Sequence, residues 1–400
     1  MFAVLWVAFT LVVSLVVSGQ ARAETPLVAF AARIAGDNAR TRIVMDFHEK
    51  PQASVRYIGN PDRIVVDLPA TDFTFASSAL APVGLFRDIR FGSIDASHSR
   101  LVLTARSPAK LVLTDIRKND EGDGYRLILE AEVTDSDTFA KLVAVQAWNA
   151  DAYSSGKAPR IEQDPPPSTT DFVIAVDAGH GGIDTGAVGK ITHVAEKTIT
   201  LAFARAFAAE LNRQPGIKAF LTRDSDVFLS LSERVTLARQ KGANLFISLH
   251  ADMLNQSDIR GATVYTISDK SSDRLAEAAA ARENQSDEVG GVDAPQAQHE
   301  VSDILQDLTR RETQAFSISM AKAVVDQFSG QVKLINNPHR YAGFRVLQAQ
   351  DIPSILLEMG FLSNKDDEKL LSDPVWRKKL VRLLVEAVKQ YRQPLLANGG

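Results

Sequence analysis

Residues 173–182, VIAVDAGHGG, restrict the possible folds of this chain more than any other stretch. Residues 173–176 are apolar and rich in β-branched side chains, which predicts a buried strand. The strand breaks into Asp177-Ala178-Gly179-His180-Gly181-Gly182, where glycines permit a tight turn and close backbone approach. His180 is then held at the rim of a sheet, and open α/β sheets bind ligands beyond the carboxyl ends of their strands. Two further apolar runs end in reactive side chains. Residues 245–249 lead into His250, and residues 354–357 lead into Glu358.

From residue 171 onward strands and helices alternate, which predicts a twisted, mostly parallel α/β sheet flanked by helices over residues 171–395. Glu196 opens an amphipathic helix with Ile199, Phe203, Phe207 and Leu211 on one face, and Pro215-Gly216 closes it. Residues 217–222 and 262–267 read as strands, Ser230-Leu231-Ser232-Glu233 as a capping box, and Asp373-Pro374 as the start of a helix through Tyr391. A long insertion at about 268–340 interrupts this pattern with an alanine-rich helix at 273–283, a polar break at 286–297 and a helix at 300–328. Excursions of this size inside compact domains usually serve function, so it is expected beside the site.

Ahead of this domain, residues 24–150 carry short alternating runs separated by turn residues, the pattern of a small all-β sandwich. No catalytic spacing occurs there. His48 and His98 read as surface or packing residues, and Arg63, Arg90 and Arg100 as solvated strand residues rather than contacts to acidic ligands. The region reads as a binding module. Residues 151–170 are rich in proline, serine and charge, which predicts a linker. Residues 1–23 pair an apolar run with Ala21 and Ala23 in a small-x-small pattern, which predicts a cleaved export signal. That run is short for a bilayer span, so no stable membrane anchor is expected.

A formal charge of −4 argues against a nucleic-acid binder. The chain has no cysteine, so metal ligands must come from histidines and carboxylates. His180, Glu196 and His250 suit zinc with a fourth position for water, Glu358 suits a proton shuttle, and Asp177 suits a carboxylate orienting a histidine. Each also has an ordinary structural role. A histidine can simply end a strand, Glu196 can complement a helix dipole, and Glu358 can pair with an arginine. Spacing alone leaves the zinc site open and selects no substrate.

The runs VDAGHGGIDTGAVG, AEKTITL, FLTRDSDVFLSLSERVTLA, LFISLHAD and DIPSILLEMGFLSN resemble, in order and spacing, the zinc-dependent N-acetylmuramoyl-L-alanine amidases. The N-terminal sandwich resembles the AMIN targeting domain that precedes such enzymes in Gram-negative bacteria. The likeness implies hydrolysis of the amide between N-acetylmuramic acid and L-alanine in periplasmic peptidoglycan. In it His180, Glu196 and His250 match the zinc ligands and Glu358 the catalytic glutamate. Thr185 departs from the usual proline, and His193 is a rival ligand near Glu196. Family members that serve cell separation carry a helix that blocks the site until a LytM-domain activator displaces it. Arg282-Glu283-Asn284-Gln285-Ser286-Asp287 resembles that segment, with Glu283 as the blocking residue. Two other functions stay open: a wall-binding protein with a silent catalytic half, and a zinc carboxypeptidase acting on stem peptides.

Overall fold

Alternating side chains along short strands force the N-terminal region to bury one face of each sheet against another. The computed structural model describes residues 25–119, 123–145, 171–291 and 304–397. The export signal and linker expected at 1–23 and 151–170 lie outside the described residues. Strands β1 (Leu27–Gly36), β2 (Arg40–Phe47), β3 (Ser54–Ile58), β4 (Arg63–Pro69), β5 (Thr71–Phe73), β6 (Phe86–Ser93), β7 (His98–Ala105), β8 (Ala109–Lys118) and β9 (Tyr125–Val133) form two sheets. Their orders are β5-β1-β2-β9-β8 and β3-β4-β7-β6. Ile43, Met45, Phe47, Ile64, Val66, Leu101, Leu103, Leu127 and Leu129 meet between them as one core. His48 stacks on Phe30 and His98 pairs with Asp95, so both are packing or surface residues. Helix α1 (Ser136–Val145) follows.

The second region is built on β10 (Phe172–Ala178), α2 (Glu196–Leu211), β11 (Ile217–Leu221), α3 (Leu231–Gln240), β12 (Leu245–His250) and β13 (Ala262–Ile267). It continues through α4 (Arg274–Glu283), α5 (Ser286–Val289), α6 (Ile304–Phe328), β14 (Leu334–Ala342), β15 (Ser354–Glu358), α7 (Lys365–Ser372) and α8 (Pro374–Ala397). The sheet order is β11-β10-β12-β15-β13-β14, with every pairing parallel except β13 against β15. On one face Ile199, Phe203, Phe207 and Leu211 of α2 pack with Met320, Val324 and Phe328 of α6 and Leu380, Leu384 and Val388 of α8. On the other, α3 and α4 lay Val235, Ala238, Ala276 and Ala279 over Phe246 and Leu356. Each large apolar side chain buried this way contributes about 1.5–3 kcal/mol.

The excursion beside the site is smaller than the 268–340 expected from sequence. Helix α6 is part of the main core, and β14 is an edge strand beside β13 whose register slips between Leu334 and His339. Among the described residues, α4 and α5 with the chain around them are what depart from the sheet-and-helix frame. No helix among the described residues is long and apolar enough to cross a membrane.

Candidate active site

Register brings the reactive side chains to one edge. Ala178 of β10 lies beside Leu249 of β12, and His250 at the end of β12 lies beside Glu358 at the end of β15. Past β10 the chain turns sharply through His180 (φ 60°), Gly181 (φ 133°) and Gly182 (φ 56°). Two glycines leave room that a Cβ would fill. A Cβ on Gly179 would stand 2.5 Å from His250 Nε2, and one on Gly186 would stand 2.6 Å from both Glu196 Oε2 and His180 Cδ2.

Buried arginines fix the turn from beneath. Arg234 of α3 donates to Asp177 Oδ1, Ala178 O and His180 O at 2.9, 2.8 and 2.9 Å. Arg223 donates to Ala178 O and Gly179 O, both at 2.9 Å. Asp177, expected to orient a histidine, instead accepts from Thr222, Arg234 and Ser248, which anchors the turn to its neighbours. The carboxylate on His180 is Asp184, whose Oδ2 lies 2.8 Å from Nδ1 and also accepts from Ser286 Oγ at 2.6 Å.

The structure gathers His180, Glu196, His250 and Glu283 into one buried cluster, and Glu358 into an adjoining one with Asp252 and the same Glu283. His180 Nε2 lies 3.2 Å from Glu196 Oε2 and 3.6 Å from Glu283 Oε2. His250 Nδ1 lies 3.4 Å from Glu196 Oε1 and 3.1 Å from Glu283 Oε2. Despite these short distances, His180 Nε2 and His250 Nδ1 make no hydrogen bond of acceptable geometry among the described residues. The donor atoms crowd around a common point instead of pointing at one another. Glu196 is fixed by Ala187 N on Oε2 (2.9 Å) and Ala251 N on Oε1 (2.7 Å). Glu358 Oε2 accepts from Asp252 N at 2.9 Å, and its buried Oε1 has no hydrogen-bond partner among the described residues. His193 is exposed, away from the cluster, in a left-handed conformation (φ 56°). Thr185 bonds to Gly186 O through its hydroxyl, within the same loop.

Too many carboxylates share this small dry volume. Burial, then the neighbouring Asp252, Glu196 and Glu283, pushes Glu358 well above the usual carboxylate range. Burial likewise pushes Glu283 to about 7, with Glu196 and Asp252 adding to the rise. Burial opposes charge on His180, but Asp184, Glu196 and Glu283 outweigh it and raise its proton affinity. Such a site calls for positive charge. Two imidazole nitrogens without hydrogen bonds among the described residues, converging with carboxylate oxygens in a glycine-lined cradle, fit a divalent ion.

Asp184, Arg223, Arg234 and Asp252 were not singled out from sequence. The only signal for them was their place in the runs that also hold the histidines. Arg282 reaches back to Asp252 Oδ2 at 2.6 and 3.0 Å, so helix α4 is tied to the same carboxylates that its next residue, Glu283, crowds.

A sheet with such a cluster at its strand ends defines a class, the α/β proteins whose buried imidazole–carboxylate centre could hold a metal ion. Within that class the comparisons are specific. Residues 174–390 match the N-acetylmuramoyl-L-alanine amidase family and residues 31–132 match the AMIN domain. The amidase AmiC of Escherichia coli O6:H1 is 28% identical over 373 residues, covering 90% of this chain and 88% of that one. AmiA of Escherichia coli K12 is 36% identical over 220 residues, covering 55% and 75%. The solved catalytic domain of CwlV from Paenibacillus polymyxa is 25% identical with a TM-score of 0.39, covering 55% and 97%. The chain belongs to the N-acetylmuramoyl-L-alanine amidase family. It is a peptidoglycan amidase that hydrolyses the bond between N-acetylmuramic acid and L-alanine.

Proposed function

We propose that this amidase is zinc-dependent, with His180 Nε2, Glu196 and His250 Nδ1 as ligands and Glu358 as the proton carrier. One observation carries the reading: the two imidazole nitrogens and the Glu196 and Glu283 oxygens approach to 3.1–3.6 Å around a common point. A tetrahedral zinc with bonds of about 2.0–2.1 Å separates its ligand atoms by about 3.3 Å. These residues would hold a zinc ion, which when bound would supply a water of pKa about 7 and Lewis-acid polarisation of the scissile carbonyl.

The remaining work falls to the chain. Asp184 fixes the His180 ring through Nδ1, and the Ala187 and Ala251 amides fix Glu196. Glu358 takes a proton from the attacking water at Oε1 and passes it to the alanine nitrogen as the amide bond breaks. The products are a lactyl carboxylate on the sugar and a free peptide amine. Glu283 would fill the position that the three ligands leave open and exclude water from it, so the closed enzyme would be autoinhibited. A LytM-domain activator releases helix α4, and the enzyme acts in periplasmic cell separation. Residues 24–150 serve as the wall-targeting module, 151–170 as linker and 171–395 as the catalytic domain.

Zinc content and product masses from purified sacculi test this in three proteins. Wild type and Glu358→Ala are expected to hold zinc equally, with cleavage reduced about 10²–10⁴-fold in the variant. Glu283→Ala is expected to cleave without activator. Shortened stem peptides in place of peptide-free glycan, or a protein that binds no zinc, would falsify the reading.

A further inference from the structure

The outer face of the sheet β3-β4-β7-β6 is not left to solvent. Arg63, Val65, Arg100 and Val102 point away from the sandwich core, yet they are 2%, 0%, 7% and 1% exposed. Val65 and Val102 form a small apolar cluster with Ile58, Ile183 and Phe228, the last two from the catalytic domain. The covering segment is the chain just after Glu283. Arg63 Nη1 donates to Glu288 O and Arg100 Nη1 to Gly290 O, both at 2.7 Å. Asp67 pairs with Arg100 from within the sheet. A Cβ on Gly291 would stand 3.1 Å from Val65 Cγ2 and 3.3 Å from Val102 Cγ2, so the backbone lies directly on the sheet.

These carbonyls close the short helix α5, where the last C=O groups lack partners inside the helix. Each takes a charge-assisted bond in a buried setting, where such bonds are strong. The opposite side of the segment is equally confined. Gly290 packs against the Phe228 ring, Asp287 Oδ1 accepts from Leu231 N at 2.8 Å, and Ser286 bonds to Asp184. Only Asn284 and Gln285 separate Glu283 from α5, and both are hydrogen-bonded back into α4. The connection has no slack, so holding residues 286–291 holds Glu283.

We propose that the N-terminal domain is the second jaw of the latch: its arginine-bearing face clamps residues 286–291, and Glu283 leaves the site only when that face releases them. This rests on the reading of Glu283 as the blocking residue. The face that resembles a free binding surface in the sequence is therefore engaged by the enzyme's own chain while the enzyme is closed.

The test uses the full mature protein with zinc and no activator. Arg63→Ala/Arg100→Ala removes the clamp bonds, and Val65→Glu places a charge against Gly291 without touching either arginine. Dye release from labelled sacculi gives the basal rate, and hydrogen exchange over residues 274–291 gives the state of the latch. Both variants are expected to raise the basal rate about tenfold, equivalent to about 1.4 kcal/mol taken from the closed state. They are also expected to speed exchange over 274–291 while β10 and β12 stay protected. If the arginine pair proves too damaging to fold, Val65→Glu carries the test alone. Glu283→Ala separates the two ideas. A raised rate in Glu283→Ala beside unchanged rate and exchange in the clamp variants overturns the clamp and leaves the blocking role standing. An unchanged rate in Glu283→Ala with faster 274–291 exchange in the clamp variants supports the clamp and removes the blocking role.

Discussion

Replacing Gly179 by alanine adds one methyl group directly behind the proposed metal site. That Cβ would stand 2.5 Å from His250 Nε2 and 2.8 Å from Nδ1, whereas ordinary contact begins at 3.4 Å. The imidazole must retreat by about 0.9 Å or tilt, because the repulsive wall of the contact is steep. Gly179 is not among the residues with positive φ, so backbone strain does not confuse the result. Metal bonds tolerate only about 0.2 Å of error. On its other side the ring faces Glu196 and Glu283 at 3.4 and 3.1 Å, which leaves little room to rearrange. Zinc affinity should fall by about 10–100-fold, the range seen when a ligand's positioning is disturbed. That corresponds to about 1.4–2.8 kcal/mol. Competition against a fluorescent chelator measures it, with circular dichroism confirming the fold. A wild-type affinity would refute the placement of His250 as a ligand backed directly by the Gly179 backbone.

Asp184→Asn keeps the shape but withdraws the negative charge from His180 Nδ1; zinc affinity should drop about 10–100-fold while the melting profile changes little. Arg234→Met leaves Asp177 as an unpaired charge at 0% exposure, so calorimetry should show a loss of about 3–5 kcal/mol, and a melt matching wild type would count against the pair's structural role. Burial disfavours ionised Asp46, but its bonds to Arg126 and Arg33 prevail and set its pKa below the ordinary 3.8. Its stabilisation is therefore present above pH 3.8 and lost as pH falls through the lower folded value. Asp46→Asn should cost on the order of 1 kcal/mol at pH 7, and the gap should close progressively below pH 3.8. A gap that stays constant across that range would dismiss the charge as its origin.

What could be read from sequence depended on how local each signal was. His180, His250 and Glu358 end apolar strands, and that pattern needs only neighbouring residues to be seen. Ile199, Phe203, Phe207 and Leu211 repeat at helical spacing, and all four are buried on α2. The capping box at Ser230 forms through Glu233 in both directions. Arg234 works on Asp177 and on backbone carbonyls far along the chain, which carry no side-chain pattern, and Asp184 reaches His180 four residues back only because the intervening turn folds it there. Strand β14 was hidden by Asn336, Asn337 and Pro338, which lie where its register against β13 slips between Leu334 and His339. Strand β4 held a clue. Arg63-Ile64-Val65-Val66-Asp67-Leu68 is buried at all six positions, which an outward-facing sandwich strand would not require. A second covering layer explains that burial, and only the assembled chain supplies it.

Ser286 gives a single hydroxyl to the same Asp184 oxygen that meets His180 Nδ1. Under the proposed opening of the latch, that oxygen would lose a competitor and bond the imidazole more strongly, which would make the ring a stronger electron donor. Uncovering the reaction centre and sharpening it would then be one movement, so that neither could be had without the other.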